Sequence, residues 1–276
     1  MGDSAIGAIR RTRQNREMAD AFVTLSNRRI GYTDVGRGPS VLLLHGDTLD
    51  RRLWTALIDD LSADHRVIAP DTRGHGRSPD TRGPFSYEDF ADDWRILIDE
   101  LDLGRVSVVG HSGGACTALL MGLTYPERIS GLVLGGCPYN VSNYHEGALD
   151  RFETAEFDDY LAWASEWADL AIEAYGDREE YRLFWSRMFH GLFPREPNLT
   201  DRELRKITPP SLVIHAEHEE SFDLVHSAHL AATMPDARLH VAEGATHMTI
   251  FAPEAAVARA EIRAFLAEIE DRERTE

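Results

Sequence analysis

The stretch "VSVVGHSGGACTALL", residues 106–120, decides the fold that this sequence predicts. A short β-branched run leads directly into Gly110-His111-Ser112-Gly113-Gly114, and a helical pattern follows. This strand-turn-helix setting is typical of a nucleophile elbow, a strained turn that exposes a serine hydroxyl and needs small residues beside it. The turn would place the N–H of Gly113 at a helix N-terminus, where the helix dipole favours an oxyanion. A glycine-rich turn with an incidental serine is the alternative.

The composition is that of a globular protein. Of the 276 residues 43% are apolar and 28% are charged, which suits one large α/β domain. The formal net charge of −18 argues against a nucleic-acid partner, because phosphate binding requires a concentrated basic surface. Lys206 is the only lysine and precedes a predicted strand, an unpromising position for Schiff-base chemistry. We therefore expect a small-molecule substrate and no nucleic-acid partner.

The cysteines and the N-terminus indicate where the protein resides. Cys116 and Cys137 form no CxxC pair, which favours free thiols in a reducing compartment. The N-terminus lacks the apolar segment of a signal peptide, and no run approaches the ~18 apolar residues that span a bilayer. These observations predict a cytoplasmic protein without membrane contact, in which residues 1–20 form an N-terminal arm.

Short apolar runs alternate with helical patterns along most of the chain, which predicts βα units and a mostly parallel sheet. The runs are "RRIGYTDV", "SVLLLHG", "RVIAP", "VSVVG", "ISGLVLGG", "SLVIHA" and "RLHVAEG". The helical patterns include the segment after Phe85, which opens with a helix-start signal at Ser86 and Asp89, and "PEAAVARAEIRAFLAEI" near the C-terminus. The sequence therefore predicts an α/β fold.

Between about residues 139 and 206 the alternation stops, and only helical patterns are present. These 68 residues hold 13 of the 24 aromatic residues, although they are a quarter of the chain. In "FDDYLAWASEWADL", Tyr160, Trp163 and Trp167 recur at i, i+3 and i+7, which predicts one helix face with three aromatic rings. That face either packs against neighbouring helices or lines an apolar pocket, and we predict that Trp163 and Trp167 line the substrate pocket.

Three motifs resemble those of the α/β-hydrolase family. "LLLHGD" (42–47) is similar to the family's HG turn, "DTRGHGRS" (71–78) to a family loop, and "GHSGGA" (110–115) to its nucleophile elbow. The resemblance extends over about residues 22–268, apart from the helical insertion, which falls where the family carries a variable cap. It implies an α/β-hydrolase fold with a mostly parallel central sheet flanked by helices, a core at 21–138 and 207–270, and a helical cap at 139–206.

The resemblance also implies where the oxyanion is held. In this family a second N–H donor, beside that of Gly113, comes from the loop after the first core strand, which places it at Asp47, or at Thr48 if the alignment is off by one. An acidic side chain at Asp47 departs from the family's pattern, because a carboxylate that faces the oxyanion would repel it. His111, next to the serine, is a further candidate for the pocket.

A serine nucleophile needs a base, and the family order places the histidine last. His247, in "GATHMTI" after the final predicted strand, matches that position, and the other histidines fit it less well. His226 and His229, for example, have helical i, i+3 spacing, which more often belongs to surface or core residues than to a site.

The acid of the triad falls within "HAEHEESFD", residues 215–223. The family usually has an aspartate in a G-x-x-D turn, and the corresponding residue here is Glu219; Glu220, Asp223 and Glu217 remain alternatives. A buried carboxylate at this position holds the imidazole in the right tautomer and stabilises the imidazolium. The cluster lacks the HExxH spacing of a metal site, so we expect no metal and no cofactor.

These residues predict a serine hydrolase that cleaves a carboxylic ester or lactone with Ser112, His247 and Glu219. A hydrolase of carbon–carbon bonds in a diketone-like substrate is the first alternative, because such family members carry the same triad. A non-catalytic ligand-binding receptor on the same fold is the second. A dehalogenase or an epoxide hydrolase is disfavoured, since those members have aspartate where this chain has Ser112.

Overall fold

The computed structural model describes residues 21–78, 83–252 and 255–275; within helices it does not describe the side chains of Trp163, Ser165, Glu166, Trp167, Leu170 and Ala174. The predicted N-terminal arm at 1–20 lies outside the described residues. None of the helices in the described ranges combines the length and the apolar character needed to cross a membrane.

One sheet of eight strands forms the centre of the described structure, in the order β1-β2-β4-β3-β5-β6-β7-β8. The strands are β1 (Ala21–Leu25), β2 (Arg28–Gly36), β3 (Ser40–Leu44), β4 (Arg66–Pro70), β5 (Val106–His111), β6 (Ile129–Gly135), β7 (Ser211–His218) and β8 (Ala237–Thr246). β2 pairs antiparallel with β1 and β4, and the remaining pairs are parallel. The predicted mostly parallel sheet is confirmed. β1 had no counterpart among the predicted runs.

Helices cover both faces of the sheet, as the sequence predicts. The core helices are α1 (Thr55–Leu61), α2 (Tyr87–Glu100), α3 (Gly113–Thr124), α9 (Leu224–Thr233) and α10 (Ala256–Thr275). α2, α3 and α9 pack on one face, and α1 and α10 pack on the other. Successive side chains of a strand point to opposite faces, so Leu42 and Leu44 join the first core while Val41 and Leu43 join the second. This two-sided burial explains why the central strands are continuously apolar.

The parallel strands bring their carboxyl ends to one edge of the sheet, where ligands bind in open α/β sheets. β3 is followed by the HG turn, and β5 leads into Ser112. β7 leads into Glu219, and β8 leads into His247. Residues far apart in the sequence therefore meet at this edge.

The segment 139–206 is helical apart from connecting turns and isolated bridges. Its helices are a 3₁₀ turn at Val141–Asn143, α4 (Ala148–Thr154), α5 (Phe157–Trp163), α6 (Ser165–Tyr175), α7 (Arg178–Ser186), a π-helix at Arg187–Leu192 and α8 (Asp201–Leu204). Two isolated bridges join it to the core or to itself, one of them between Tyr144 and Phe222.

One prediction for this segment is wrong. Tyr160, Trp163 and Trp167 do not share a continuous helix, because α5 ends at Trp163 and α6 begins at Ser165. Ala164 between them has φ −99° and ψ 21°, which lies off the helical values and changes the direction of the chain. The i, i+3, i+7 spacing is a local pattern and carries no information about such a break.

Aromatic packing holds this segment on the core. The ring of Phe184 in α7 lies 4.6 Å from the ring of His75 and 5.7 Å from that of Phe85, measured between centroids. The hydroxyl of Tyr175 donates a hydrogen bond to the carbonyl of Gly74 at 2.5 Å. The helical segment therefore rests on the loop "DTRGHGRS", next to the carboxyl edge of the sheet.

Candidate active site

Ser112 occupies a strained turn between β5 and α3. Its φ of 51° and ψ of −118° are rare for a residue with a side chain, and such strain is characteristic of functional positions. Its N–H donates to the carbonyl of Gly135 at 2.9 Å, and its carbonyl accepts from Ala115 and Cys116. A Cβ at Gly114 would lie 2.1 Å from the carbonyl oxygen of Leu44. The glycine is needed because two backbone segments approach each other closely here.

His247 and Glu219 form a hydrogen-bonded pair at the ends of β8 and β7. The Nδ1–H of His247 donates to Oε2 of Glu219 at 2.8 Å, which leaves Nε2 unprotonated and available as a base. The side chain of Glu219 is 1% exposed and that of His247 is 15% exposed. Gly136, at the end of β6, stands against the imidazole, since a Cβ there would lie 2.9 Å from its Cε1. The pair has the geometry of the base and acid of a triad.

The other carboxylates of the "HAEHEESFD" stretch make different contacts. Glu220 accepts a hydrogen bond from the backbone N–H of His247 at 3.2 Å. Glu217 accepts from the N–H of Gly244 at 2.7 Å, and Asp223 precedes α9 with a largely exposed side chain. Of the four candidates, Glu219 is the one whose carboxylate meets the imidazole.

Two opposing effects act on the Glu219 carboxyl. Burial raises its pKa, but the hydrogen bond from His247, the charge of that imidazole and the N–H of Ser221 together hold the pKa below its ordinary value. Glu219 is therefore an anion at neutral pH, as a group that stabilises an imidazolium has to be.

The imidazole of His111 contacts the loop that carries the base, His247. Its Nε2–H donates to the carbonyl oxygen of His247 at 2.8 Å, and its ring lies between the rings of His247 and Phe251. Burial lowers the pKa of His111 to about 3, so the imidazole is neutral, and its Nδ1 has no partner among the described residues. The side chain is thus turned toward the His247 loop, and its contact with substrate stays a prediction.

The two backbone N–H groups expected to hold an oxyanion come from α3 and from the HG turn. Gly113 is the first residue of α3, so its N–H has no partner within the helix. The N–H of Thr48 donates to Nε2 of His75 at 3.0 Å, which removes Thr48 as a donor to substrate. The N–H of Asp47 has no acceptor among the described residues.

Two neutral histidines hold the HG turn in place. His45 donates from Nδ1 to the carbonyl of Gly46 and accepts at Nε2 from the N–H of Thr72. His75 donates from Nδ1 to the carbonyl of Arg73 and accepts from Thr48. Burial lowers the pKa of both rings, that of His75 to about 3. Because each ring acts as donor and acceptor at once, only the neutral form satisfies both bonds.

The sequence predicts a role for the N–H of Asp47 but does not indicate what surrounds its side chain. The carboxyl lies over Gly113, where a Cβ would be 1.9 Å from Oδ2, and the hydroxyl of Tyr87 donates to Oδ2 at 2.6 Å. Burial raises the pKa of Asp47 to about 7, although Tyr87 and His247 act to lower it. The phenol of Tyr144 is close enough for Asp47 and Glu219 to raise its pKa further, after burial itself. Neither Tyr87 nor Tyr144 belongs to a sequence motif that predicts its place in the site.

The remaining predictions from the sequence concern metal ions, the two cysteines and the two tryptophans of the helical segment. Among the described residues no group of three or more His, Cys, Asp or Glu side chains is arranged to hold a metal ion. Cys116 and Cys137 are free and buried. The side chains of Trp163 and Trp167 are not described, so their predicted place in the pocket lies outside the described residues.

Comparison with known proteins gives the same family for sequence and fold. Residues 41–260 match the family model described as "Alpha/beta hydrolase family". An uncharacterised protein of Mycobacterium tuberculosis is 34% identical over 113 residues, which are 41% of this chain and 33% of that relative. The chain thus spans about a third of the length of this relative. The 2-hydroxy-6-oxo-2,4-heptadienoate hydrolase of Pseudomonas putida is 28% identical over 230 residues, 75% of this chain and 82% of that enzyme.

Among solved structures, the enol-lactonase from Burkholderia xenovorans LB400 superposes with a TM-score of 0.72 at 20% sequence identity. The superposition covers 90% of this chain and 100% of the lactonase chain. At that identity, the likeness shows the fold that the two chains share.

Proposed function

This chain belongs to the alpha/beta hydrolase family, and we propose that it is a serine hydrolase that cleaves a carboxylic ester or lactone through an acyl-enzyme. The observation that carries the proposal is the 2.8 Å bond from Nδ1 of His247 to Glu219, at the same sheet edge as Ser112 in its strained turn. A serine activated by a histidine whose tautomer is fixed by a buried anion is the arrangement that acyl transfer requires.

In the first half of the reaction, Nε2 of His247 takes the proton of the Ser112 hydroxyl as Oγ attacks the carbonyl carbon. The carbonyl electron pair moves to oxygen, and the N–H groups of Gly113 and Asp47 stabilise the resulting oxyanion. The tetrahedral intermediate then collapses, His247 returns its proton to the leaving alkoxide, and the acyl group stays on Ser112.

Water completes the cycle. His247 removes a proton from water as its oxygen attacks the acyl carbon, and the acid is released when Ser112 recovers its proton. Glu219 keeps its negative charge throughout and stabilises the imidazolium in both halves, which agrees with a pKa below its ordinary value. A metal ion has no step to perform in this sequence of events.

A carbon–carbon bond hydrolase is the second candidate. The observation that favours it is the similarity, over 75% of this chain, to the heptadienoate hydrolase of Pseudomonas putida. The same serine, histidine and acid can serve both reactions, so the choice depends on which substrate the pocket admits and how it is protonated.

The experiment that tests the proposal is a substrate panel of aryl esters with graded acyl chains, five- and six-membered lactones, and a vinylogous 1,5-diketone. We expect turnover of esters or lactones that disappears in Ser112→Ala. Turnover of the diketone alone would replace the proposal with the second candidate. If the purified enzyme hydrolysed no member of the panel and did not react with a fluorophosphonate, the serine hydrolase proposal would be wrong.

A further inference from the structure

The Asp47 carboxyl is the feature of the site that the triad leaves without a role. It follows the HG turn directly and lies against the Cα of Gly113, beside the residue whose N–H is placed to hold the oxyanion. Its Oδ2 accepts from the buried hydroxyl of Tyr87, while Oδ1 has no hydrogen-bond partner among the described residues. Asp47 retains a partly accessible surface although protein surrounds it. Its Oδ1 atom lies beside the Gly113 backbone, where a Cβ would be 2.4 Å from it.

Four titratable side chains surround this carboxyl. Tyr87 comes from α2, Cys116 from α3, Tyr144 from the helical segment, and His247 from the loop after β8. Burial raises the pKa of each of the two tyrosines and of Cys116, so these three groups are neutral in the physiological range. Among the residues that the structure describes, no arginine or lysine acts on the Asp47 carboxyl. An aspartate anion here would be buried without a cationic partner apart from a protonated His247.

Protonation of the Asp47 carboxyl removes the buried charge that lacks a cationic partner. Burial raises the pKa of Asp47 to about 7, so a large share of the molecules carry a neutral carboxylic acid at neutral pH. A negative charge that develops on a substrate oxygen beside Asp47 favours the neutral acid still more, since two anions in contact repel each other. The acid can donate to that oxygen, and the carboxylate can only accept.

We propose that Asp47 is a catalytic residue that works in its protonated form, as a side-chain donor of a hydrogen bond to the oxyanion, with Tyr87 holding its other oxygen. The inference rests on the proposed function, because it concerns the same tetrahedral intermediate. Asp47 then supplies two donors from one residue, its backbone N–H and its carboxylic O–H. The departure from the family's pattern at this position becomes part of the mechanism.

The step is balanced without any further reactant. As the bond from Oγ of Ser112 to the carbonyl carbon forms, the proton of the serine moves to Nε2 of His247 and the π electron pair of the carbonyl moves to its oxygen. Asp47 keeps its proton and shares it with that oxygen. When the intermediate collapses, the electron pair returns to the carbonyl and the hydrogen bond weakens, so Asp47 is unchanged after each turnover.

The test compares Asp47→Asn with Asp47→Ala across the pH range on one accepted ester. An amide has the shape of the acid, donates through its NH₂ group, accepts from Tyr87 through its oxygen and does not titrate. We expect kcat of the wild type to decline as pH rises past about 7, and Asp47→Asn to lack this decline while it keeps kcat within about tenfold at pH 6. Asp47→Ala should lower kcat at pH 6 by about 10² or more, the usual effect of removing an oxyanion donor.

Tyr87→Phe provides a second variant that leaves Asp47 in place. The hydrogen bond from Tyr87 lowers the pKa of Asp47, so its removal should move the alkaline decline of kcat to higher pH. Glu196→Gln is the matched control, because Glu196 accepts from the backbone N–H of the same tyrosine and also has a pKa raised by burial. Glu196→Gln should not change the pH at which kcat declines.

The outcomes separate this inference from the proposed function. Ester turnover by the wild type with an unaltered alkaline decline in Asp47→Asn, or a loss in Asp47→Asn as large as that in Asp47→Ala, would overturn the role of Asp47 and leave the triad standing. Absence of turnover and of fluorophosphonate labelling in the wild type would overturn the proposed function itself. Thermal unfolding of each variant, compared with that of Glu196→Gln, shows whether a lost rate reflects lost folding.

Discussion

The loop after β3 and the loop after β7 each bring one carboxyl group to the neighbourhood of His247, and the two environments act on those groups in opposite directions. Glu219 receives the Nδ1–H of His247 and the N–H of Ser221, and its pKa falls. Asp47 receives one neutral hydroxyl, and burial raises its pKa to about 7. Divergent pKa values within one site are a physical basis for assigning an anionic role to one group and an acid role to the other.

The difference shows that hydrogen-bond donors determine whether a buried carboxyl is ionised or protonated. Both groups are enclosed by protein, and burial favours the neutral form of each. Glu219 meets two N–H donors, one of which belongs to a ring that becomes cationic, and these outweigh burial. The single hydrogen bond from the Tyr87 phenol to Asp47 does not outweigh burial.

Ser112→Ala tests the premise that both carboxyls serve one nucleophile. We expect the variant to lose fluorophosphonate labelling and to lose turnover by about 10⁴-fold or more, because no other group can form the acyl-enzyme. Ser142→Ala, at an exposed serine of the helical segment, should keep both. Labelling by mass spectrometry and initial rates measure the effect. Near-native turnover in Ser112→Ala on every accepted substrate would contradict the mechanism.

Glu219→Gln tests the anionic member of the pair. The amide preserves the shape but cannot stabilise the imidazolium, so kcat should fall by about 10³- to 10⁴-fold. Glu220 contacts the backbone N–H of His247, and Glu220→Gln should therefore change kcat by less than about tenfold. Steady-state kinetics on one ester distinguishes the two. A reversed ranking would transfer the role to Glu220.

Folding stability should depend on pH in opposite directions for the two carboxyls. A raised pKa means that the native state keeps a proton that the unfolded state has already lost, so the wild type loses stability relative to Asp47→Asn as pH rises toward about 7. We expect a relative gain for Asp47→Asn of at most about 3 kcal/mol between pH 5 and pH 8. Urea unfolding at the two pH values measures it.

Glu219 has a lowered pKa, so its contribution to stability is present above its ordinary pKa and disappears as pH falls through the native value. Glu219→Gln should therefore be less stable than the wild type at pH 7, and the difference should shrink in acid. The same sign of pH dependence in Glu219→Gln and Asp47→Asn would remove the contrast between the two loops.

The smallest effect concerns the helical segment. If Trp163 or Trp167 lines the pocket, its replacement by alanine should change the preference among acyl chain lengths by about 1 to 3 kcal/mol, the range for an altered apolar contact. Tyr160→Phe is the matched control, since the Tyr160 hydroxyl is buried and bonds that of Tyr181 at 2.9 Å. It should lower the free energy of unfolding by about 1 kcal/mol and leave relative kcat/KM values alone. Unchanged selectivity in both tryptophan variants would show that neither side chain lines the substrate pocket.

Local patterns predicted most of the fold. The apolar runs correspond to β2 through β8. β3 through β7 are the clearest of them, because a strand buried on both faces is apolar almost throughout, and that is visible without any partner. β1 was missed because "AFVTL" is half-exposed at the sheet edge and pairs only with β2. The break at Ala164 was missed because Leu161, Ala162 and Glu166 around it are good helix formers.

In the site, order along the chain and turn chemistry predicted which residues to examine, and contacts distinguished among them. Among the four carboxylates in nine residues, the resemblance favours Glu219 and leaves three alternatives, and only the contact with the imidazole distinguishes Glu219 structurally as the partner of His247. Likewise the sequence favours Asp47 as the N–H donor and leaves Thr48 as the alternative, and the hydrogen bond from Thr48 to His75 removes that alternative.

The elbow around Ser112, the alternation of strands and helices, and the position of His247 after the last strand are readable from the sequence, because steric limits on a turn and the period of a buried face are local properties. Which carboxyl is an anion and which has its pKa raised to about 7 depends on the folded chain. Protonation depends on burial and on donors that come from other parts of the chain, 28 residues away for Glu219 and 40 for Asp47. Those distances close only when the sheet brings its loops to one edge.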